Sequence, residues 1–172
     1  MSKLIIMTKE ELKIKDKLDK EIVSFFKHSH IDKKDSSSIE NLTYSDFLSN
    51  RMLMIYIIRQ GVPYSLFNLI QHYTPFTDND WANILDISTK SLQRYKQTSK
   101  QFKSIQSEKI IEMAEVTNIG LDVFGGMDKL KLWLDTPNYA LGNLKPFELL
   151  KDSYGKEMVI SELTRINYGI LA

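Results

Sequence analysis

Apolar residues recur along this chain at intervals of three and four, with little of the strict alternation that a half-buried strand would show. Leu12, Leu18, Ile22, Phe25 and Phe26 predict one amphipathic helix over 8–28. The polar run from His28 to Ser38 follows and reads as a linker. Residues 1–50 hold nine Lys and nine Asp or Glu, so the segment is neutral. It is expected to be a charged, loosely docked N-terminal extension.

The texture changes near residue 51. Met52 to Ile58 is a dense apolar run, and periodicity leaves a buried strand and a buried helix both open. Gly61 closes it, and Pro63 suits the first turn of a new helix, where a missing N–H is harmless. Leu66, Phe67, Leu69, Ile70 and Tyr73 give that helix its apolar face, and Pro75 stops it. Thr77 is a good N-cap for a helix carrying Trp81, Ala82, Ile84 and Leu85. After the break at 86–88, Ser88 caps a helix over 89–97 with Leu92 and Tyr95 inward. The next helix is predicted over 107–118, capped by Ser107 and ended by Asn118 and Gly120.

Gly125-Gly126 punctuates the last part. A helix follows over 127–134 with Leu130, Trp133 and Leu134 buried, then a turn-rich loop and a short helical turn from Pro146 to Leu150. The final helix is expected over 153–166, with Met158, Val159, Leu163 and Ile166 inward. The fold class read from this pattern is all-α.

Composition narrows the function. The chain has 172 residues, 23 Lys+Arg against 22 Asp+Glu, and no Cys, which excludes disulfides, Cys-based zinc sites and thiol catalysis. The longest apolar stretch is seven residues, against about 20 needed to span a membrane. No signal-peptide pattern opens the chain. These features predict a soluble cytoplasmic protein with no membrane partner.

Residues 78–96 have the mechanics of a helix-turn-helix. Ala82 is small where two helices must cross, Ile87 anchors the turn, and Leu92 and Tyr95 pack the second helix back on the first. The residues left facing outward are Thr89, Lys90, Ser91, Gln93, Arg94 and Lys96, the hydroxyl, amide and cationic types that reach base edges and phosphates. Between Asp86 and Glu108 every charge is positive: Lys90, Arg94, Lys96, Lys100 and Lys103. The same geometry occurs in proteins that bind no DNA, so the residues alone leave DNA contact and a purely structural role both open.

Other constellations are weak. His28 and His30 sit two apart with no third ligand near, so no metal site is expected. His72 lies near a helix end, where it can meet the last carbonyls. Asp78 and Asp80 resemble a carboxylate pair, yet a helix N-terminus explains both. No phosphate loop, nucleophile elbow or catalytic triad pattern is present. No catalytic residue, cofactor or enzymatic activity is expected. The chain ends Asn167-Tyr-Gly-Ile-Leu-Ala172, with Gly169 a plausible helix cap. Chain ends are usually polar, so this apolar one tucks into its own core or enters a partner.

Phe124-Gly125, Trp133-Leu-Asp-Thr-Pro-Asn138, Ala140-Leu-Gly142, Pro146-Phe-Glu-Leu-Leu150 and Leu163-Thr-Arg-Ile-Asn-Tyr-Gly169 stand in an order and spacing that resemble the C-terminal toxin-binding domain of the Xre/MbcA/ParS antitoxins. Upstream, Ile58-Arg-Gln-Gly-Val-Pro63 is similar to that family's entry into its helix-turn-helix, and Asp86 to Arg94 to its recognition helix. The likeness covers about 55–172. It leaves the N-terminal extension (1–50) unmatched, and implies an Xre-like helix-turn-helix domain (51–120) and a small helical toxin-binding domain (121–172).

The resemblance also implies a type II toxin–antitoxin system. The partner would be a RES-domain toxin that degrades NAD⁺. The antitoxin would be a homodimer that represses its own operator and blocks the toxin's cleft with its C-terminal segment. Arg165, Tyr168, Gly169, Ile170, Leu171 and Ala172 are the implied toxin contacts, with Arg165 facing either an acid of its own domain or the toxin. Trp133, Pro137, Leu141, Gly142 and Pro146 would shape the domain. Where the family often carries a second Arg after Arg94, this chain has Tyr95, which removes a phosphate-binding charge. The alternative reading is a stand-alone helix-turn-helix regulator whose C-terminal part only dimerises.

Overall fold

The computed structural model describes residues 7–29 and 39–170. Helix α1 (Lys9–His28) starts with a capping box in which Thr8 accepts from the Glu11 N–H and Glu11 accepts from the Thr8 N–H. Helices α2 (Tyr44–Ser49) and α3 (Arg51–Gln60) follow, sharing Asn50 as C-cap of one and N-cap of the other. The apolar run 52–58 is therefore helical. Helix α4 (Tyr64–His72) is entered through Pro63, which sits at the N-cap rather than in the first turn.

The chain continues through α5 (Asp78–Ile84), α6 (Thr89–Thr98), α7 (Ser104–Phe124) and α8 (Met127–Leu134). A 3₁₀ turn (Tyr139–Leu141), the short α9 (Pro146–Leu149) and α10 (Ser153–Asn167) complete it. The described residues contain no strand, only an isolated bridge between Asn138 and Leu144.

One apolar core runs through these helices, and α7 is its axis: α3, α8 and α10 pack against it. The predicted helix 107–118 is thus part of a longer one. Ser107 is not its cap. The Ser107 hydroxyl is buried, accepts from the Val62 N–H at 2.8 Å and donates to the Phe102 carbonyl at 3.2 Å. Gly120 does not end it either. A Cβ there would lie 2.4 Å from Leu130 Cδ1, so the missing side chain lets α8 approach. The boundary expected between 120 and 121 falls inside this continuous helix.

The N-terminal part is not loosely docked where it is described. Leu18, Ile22 and Phe26 of α1 are fully buried against α2 and α4. Each such burial contributes about 1.5–3 kcal/mol. The Phe26 ring lies 5.9 Å from Phe47 and 6.0 Å from Tyr56, and Asp19 accepts the Tyr44 N–H at 2.6 Å. Much of the linker expected over 28–38 lies outside the described residues.

Candidate functional site

Two surfaces carry the residues singled out from the sequence. The first is the helix pair α5–α6. Thr77 and Asp80 form a capping box at the start of α5, with Thr77 accepting from the Asp80 N–H at 3.2 Å and Asp80 accepting from the Thr77 N–H at 2.9 Å. Asp78 accepts from Gln71 Nε2 at 2.7 Å. Both carboxylates are thus occupied structurally. Trp81 is fully buried, edge-on to Phe67 at 5.1 Å and to Phe76 at 5.8 Å.

The turn is tight. Asp86 takes a left-handed conformation (φ 51°), which short polar side chains tolerate, and the Ile87 N–H donates to the Ala82 carbonyl at 3.0 Å. Ala82 is buried at the crossing, and Ser88 caps α6 by accepting from the Ser91 N–H at 3.0 Å. Leu92 is buried and Tyr95 half-buried, so α6 is held by one edge. Thr89, Lys90, Gln93, Arg94 and Lys96 are exposed, and Ser91 is half-exposed beside them. Among the described residues Lys90, Arg94, Lys96, Lys100 and Lys103 have no ion-pair partner.

The second surface is α10 and the turn after it. Val159 and Leu163 are fully buried against α7, but Met158, expected inward, is 47% exposed. Its neighbour Val159 takes the core position. Tyr154, Met158, Arg165 and Tyr168 are spaced four, seven and three apart and so share one face of the helix. Tyr154 and Tyr168 are 86% and 76% exposed. Sequence reading missed Tyr154. The signal was available in its spacing from Met158 and Arg165.

Arg165 pairs with an acid of its own helix, Glu162, at 3.1 Å. Gly169 follows the helix with φ 69°, and the Ile170 N–H donates to the Arg165 carbonyl at 2.9 Å, folding the chain end back as a closing turn. Ile170 is still 55% exposed. Leu171 and Ala172 lie outside the described residues. Trp133 is half-buried, its ring 5.6 Å from Phe124, while Leu141 and Pro146 are buried and Pro137 and Gly142 lie at the surface.

Among the described residues no three His, Asp or Glu side chains gather as a metal ion would need. His28 Nδ1 and His72 Nδ1 each donate to a carbonyl one turn back, Ser24 at 2.7 Å and Asn68 at 2.6 Å. His30 is outside the described residues. No described helix is long and apolar enough to cross a membrane.

Residues 54–115 match the antitoxin Xre-like helix-turn-helix domain, and residues 120–169 match the antitoxin Xre/MbcA/ParS C-terminal toxin-binding domain. The chain belongs to the Xre/MbcA/ParS antitoxins. This antitoxin is 27% identical over 117 residues to the antitoxin Xre of Photorhabdus laumondii subsp. laumondii, covering 67% of this chain and 79% of that one. It is 25% identical over 126 residues to the antitoxin Xre of Yersinia enterocolitica, covering 72% and 84%. A chain of the solved M. tuberculosis MbcT–MbcA toxin–antitoxin complex aligns with a TM-score of 0.47 and 23% identity, over 56% of this antitoxin and 86% of that chain. The helix-turn-helix match embraces α5 and α6, and the toxin-binding match ends at the turn where Tyr168 is exposed.

Proposed function

We propose that this antitoxin neutralises a RES-domain, NAD-degrading toxin by laying its C-terminal segment over the toxin's active-site cleft, and that as a homodimer it represses its own operon through α6. The observation that carries the first part is the exposed apolar end of α10. Tyr168 and Ile170 stand in solvent at the limit of the toxin-binding match, in the turn that closes a helix whose opposite face is locked in the core. Tyr154 and Met158 are exposed on the same helix face, and it is clustered apolar surface of this kind, not single exposed residues, that marks partner sites. Occlusion needs no chemistry, only an interface near the standard size of about 1,600 Å². Arg165 belongs to this proposal as a polar contact at the rim, with Tyr168, Gly169, Ile170, Leu171 and Ala172 as the apolar plug.

The second part rests on the unpaired cations of α6. Thr89, Lys90, Ser91, Gln93, Arg94 and Lys96 would meet the operator, the amide and guanidinium groups reading base edges and the lysines meeting phosphate. Removing residues 168–172 tests the first part. Protection of cells expressing the cognate toxin is expected to be lost while the truncated chain still dimerises and still retards promoter DNA. Full protection by the truncated chain would overturn the plug.

A further inference from the structure

The loop between α6 and α7 is pinned at one residue. Phe102 is 2% exposed. Its N–H donates to the Val62 carbonyl at 2.9 Å, and its carbonyl accepts from Ser107 Oγ at 3.2 Å. Its ring lies 4.9 Å from Phe67 and stacks on Tyr95 at 4.2 Å. Gly61 allows the close pass: its φ is +92°, and a Cβ there would sit 2.5 Å from the Phe102 carbonyl oxygen. The two residues that flank this anchored stretch are exposed lysines, Lys100 and Lys103.

These lysines line a cleft of about 440 Å³ with Ser91, Arg94 and Thr98 of α6. No acidic side chain lines it. The cleft on the opposite flank of α6 is lined by one carboxylate, Asp78, and one lysine, Lys96. That flank is balanced in charge, whereas the flank with Arg94, Lys100 and Lys103 is purely cationic. A loop held in place beside a reading helix supplies its cations already positioned, which lowers the ordering cost of meeting a phosphate.

We infer that Lys100 and Lys103 form a clamp for the DNA sugar–phosphate backbone on the α7 side of α6. The inference rests on the operator-binding reading and deepens it. Tyr95 brings no charge to α6, yet the surface is not short of it. Tyr95 spends its ring on holding Phe102, and the two loop lysines on either side of Phe102 supply the cations. The clamp is indifferent to sequence because it meets phosphate, whereas Arg94 and Gln93 carry the base discrimination.

The test is a salt titration of duplex binding by fluorescence anisotropy, with DNA from upstream of the antitoxin's own gene and a scrambled duplex of equal length. The full-length chain carrying K100Q and K103Q is expected to lose about 1.8 from the slope of log K against log salt, at 0.9 per phosphate. The ratio of specific to scrambled affinity should stay within about twofold, and K100R/K103R should keep the wild-type slope. R94A should reduce the ratio. An unchanged slope in K100Q/K103Q, with wild type binding normally, would overturn the clamp alone. A wild-type chain that binds neither duplex would overturn the operator reading and the clamp with it.

Discussion

The Tyr95 ring lies 4.2 Å from the Phe102 ring at an interplanar angle of 11°, so α6 is stacked on the loop that follows it. Stacked pairs contribute about 0.5–1.5 kcal/mol beyond their area burial. Tyr95→Arg, which removes the stacking ring, is expected to lower stability by about 1–2 kcal/mol in denaturant unfolding. Tyr95→Phe should leave it within about 0.5 kcal/mol.

Gly120 sets the distance between α7 and α8. Leu130 is fully buried, so its methyl groups cannot swing clear of an added Cβ. Gly120→Ala gains about 1 kcal/mol of helix propensity and loses about 1–3 kcal/mol to overpacking. A net loss of stability by thermal unfolding is the expected result. A rise in Tm would show that the helices part without cost.

Tyr44 is fully buried, and its hydroxyl has no hydrogen-bond partner among the described residues. Burial first, and then Tyr73, raises its pKa well above the ordinary 10.0. Burial, with Glu11, Asp122 and Asp19 nearby, pushes Tyr73 up to about 12. Both raised values mean that the folded state favours the neutral phenol. The stability they contribute is whole below pH 10.0 and falls as the pH rises toward 12. Tyr44→Phe removes one unpaired group, so it should be neutral or stabilising at pH 7 and should shift the alkaline unfolding midpoint upward. Circular dichroism across a pH series reads both effects.

Thr77 ties down the first helix of the pair. Thr77→Ala should cost about 1 kcal/mol, the usual worth of an N-cap hydroxyl, measured by chemical denaturation. Asp80 would lose the hydroxyl that it accepts from at 2.7 Å.

Tyr154, Met158 and Tyr168 contribute little to the fold, because their side chains stand in solvent. Alanine at each should move stability by no more than about 0.5 kcal/mol. On the proposed toxin contact, the same changes should weaken the complex with purified toxin, most strongly at Tyr168, as calorimetric titration would show. Equal affinity for all three variants would argue that the toxin docks elsewhere.

The helix pattern was legible because amphipathic spacing and caps are local: Thr77 and Ser88 stand at the starts of their helices as their side chains require. What was not legible depends on contacts between distant residues. Ser107 resembles a cap until Val62, 45 positions away, is found to donate to it. Gly120 resembles a stop until Leu130 is seen filling its place. Met158 and Val159 are neighbours with similar hydropathy, and only the packing of α10 on α7 decides which one is inside. The docking of α1 through Phe26, Phe47 and Tyr56 likewise has no local signature. At the α5–α6 surface, outward residues followed from the turn geometry. On α10, Arg165 left two partners open, and the Glu162 carboxylate answers for one of them.

Helix α7 runs unbroken from Ser104 to Phe124, through the end of one matched segment at 115 and the start of the other at 120. A 21-residue helix is a rod of about 32 Å with no joint in it. Whatever is gripped at one extremity is therefore carried at a set bearing relative to the other. On the proposed function, a toxin mounted on α10 would be carried by this rod, so its bulk would limit sterically how neighbouring copies could be arranged.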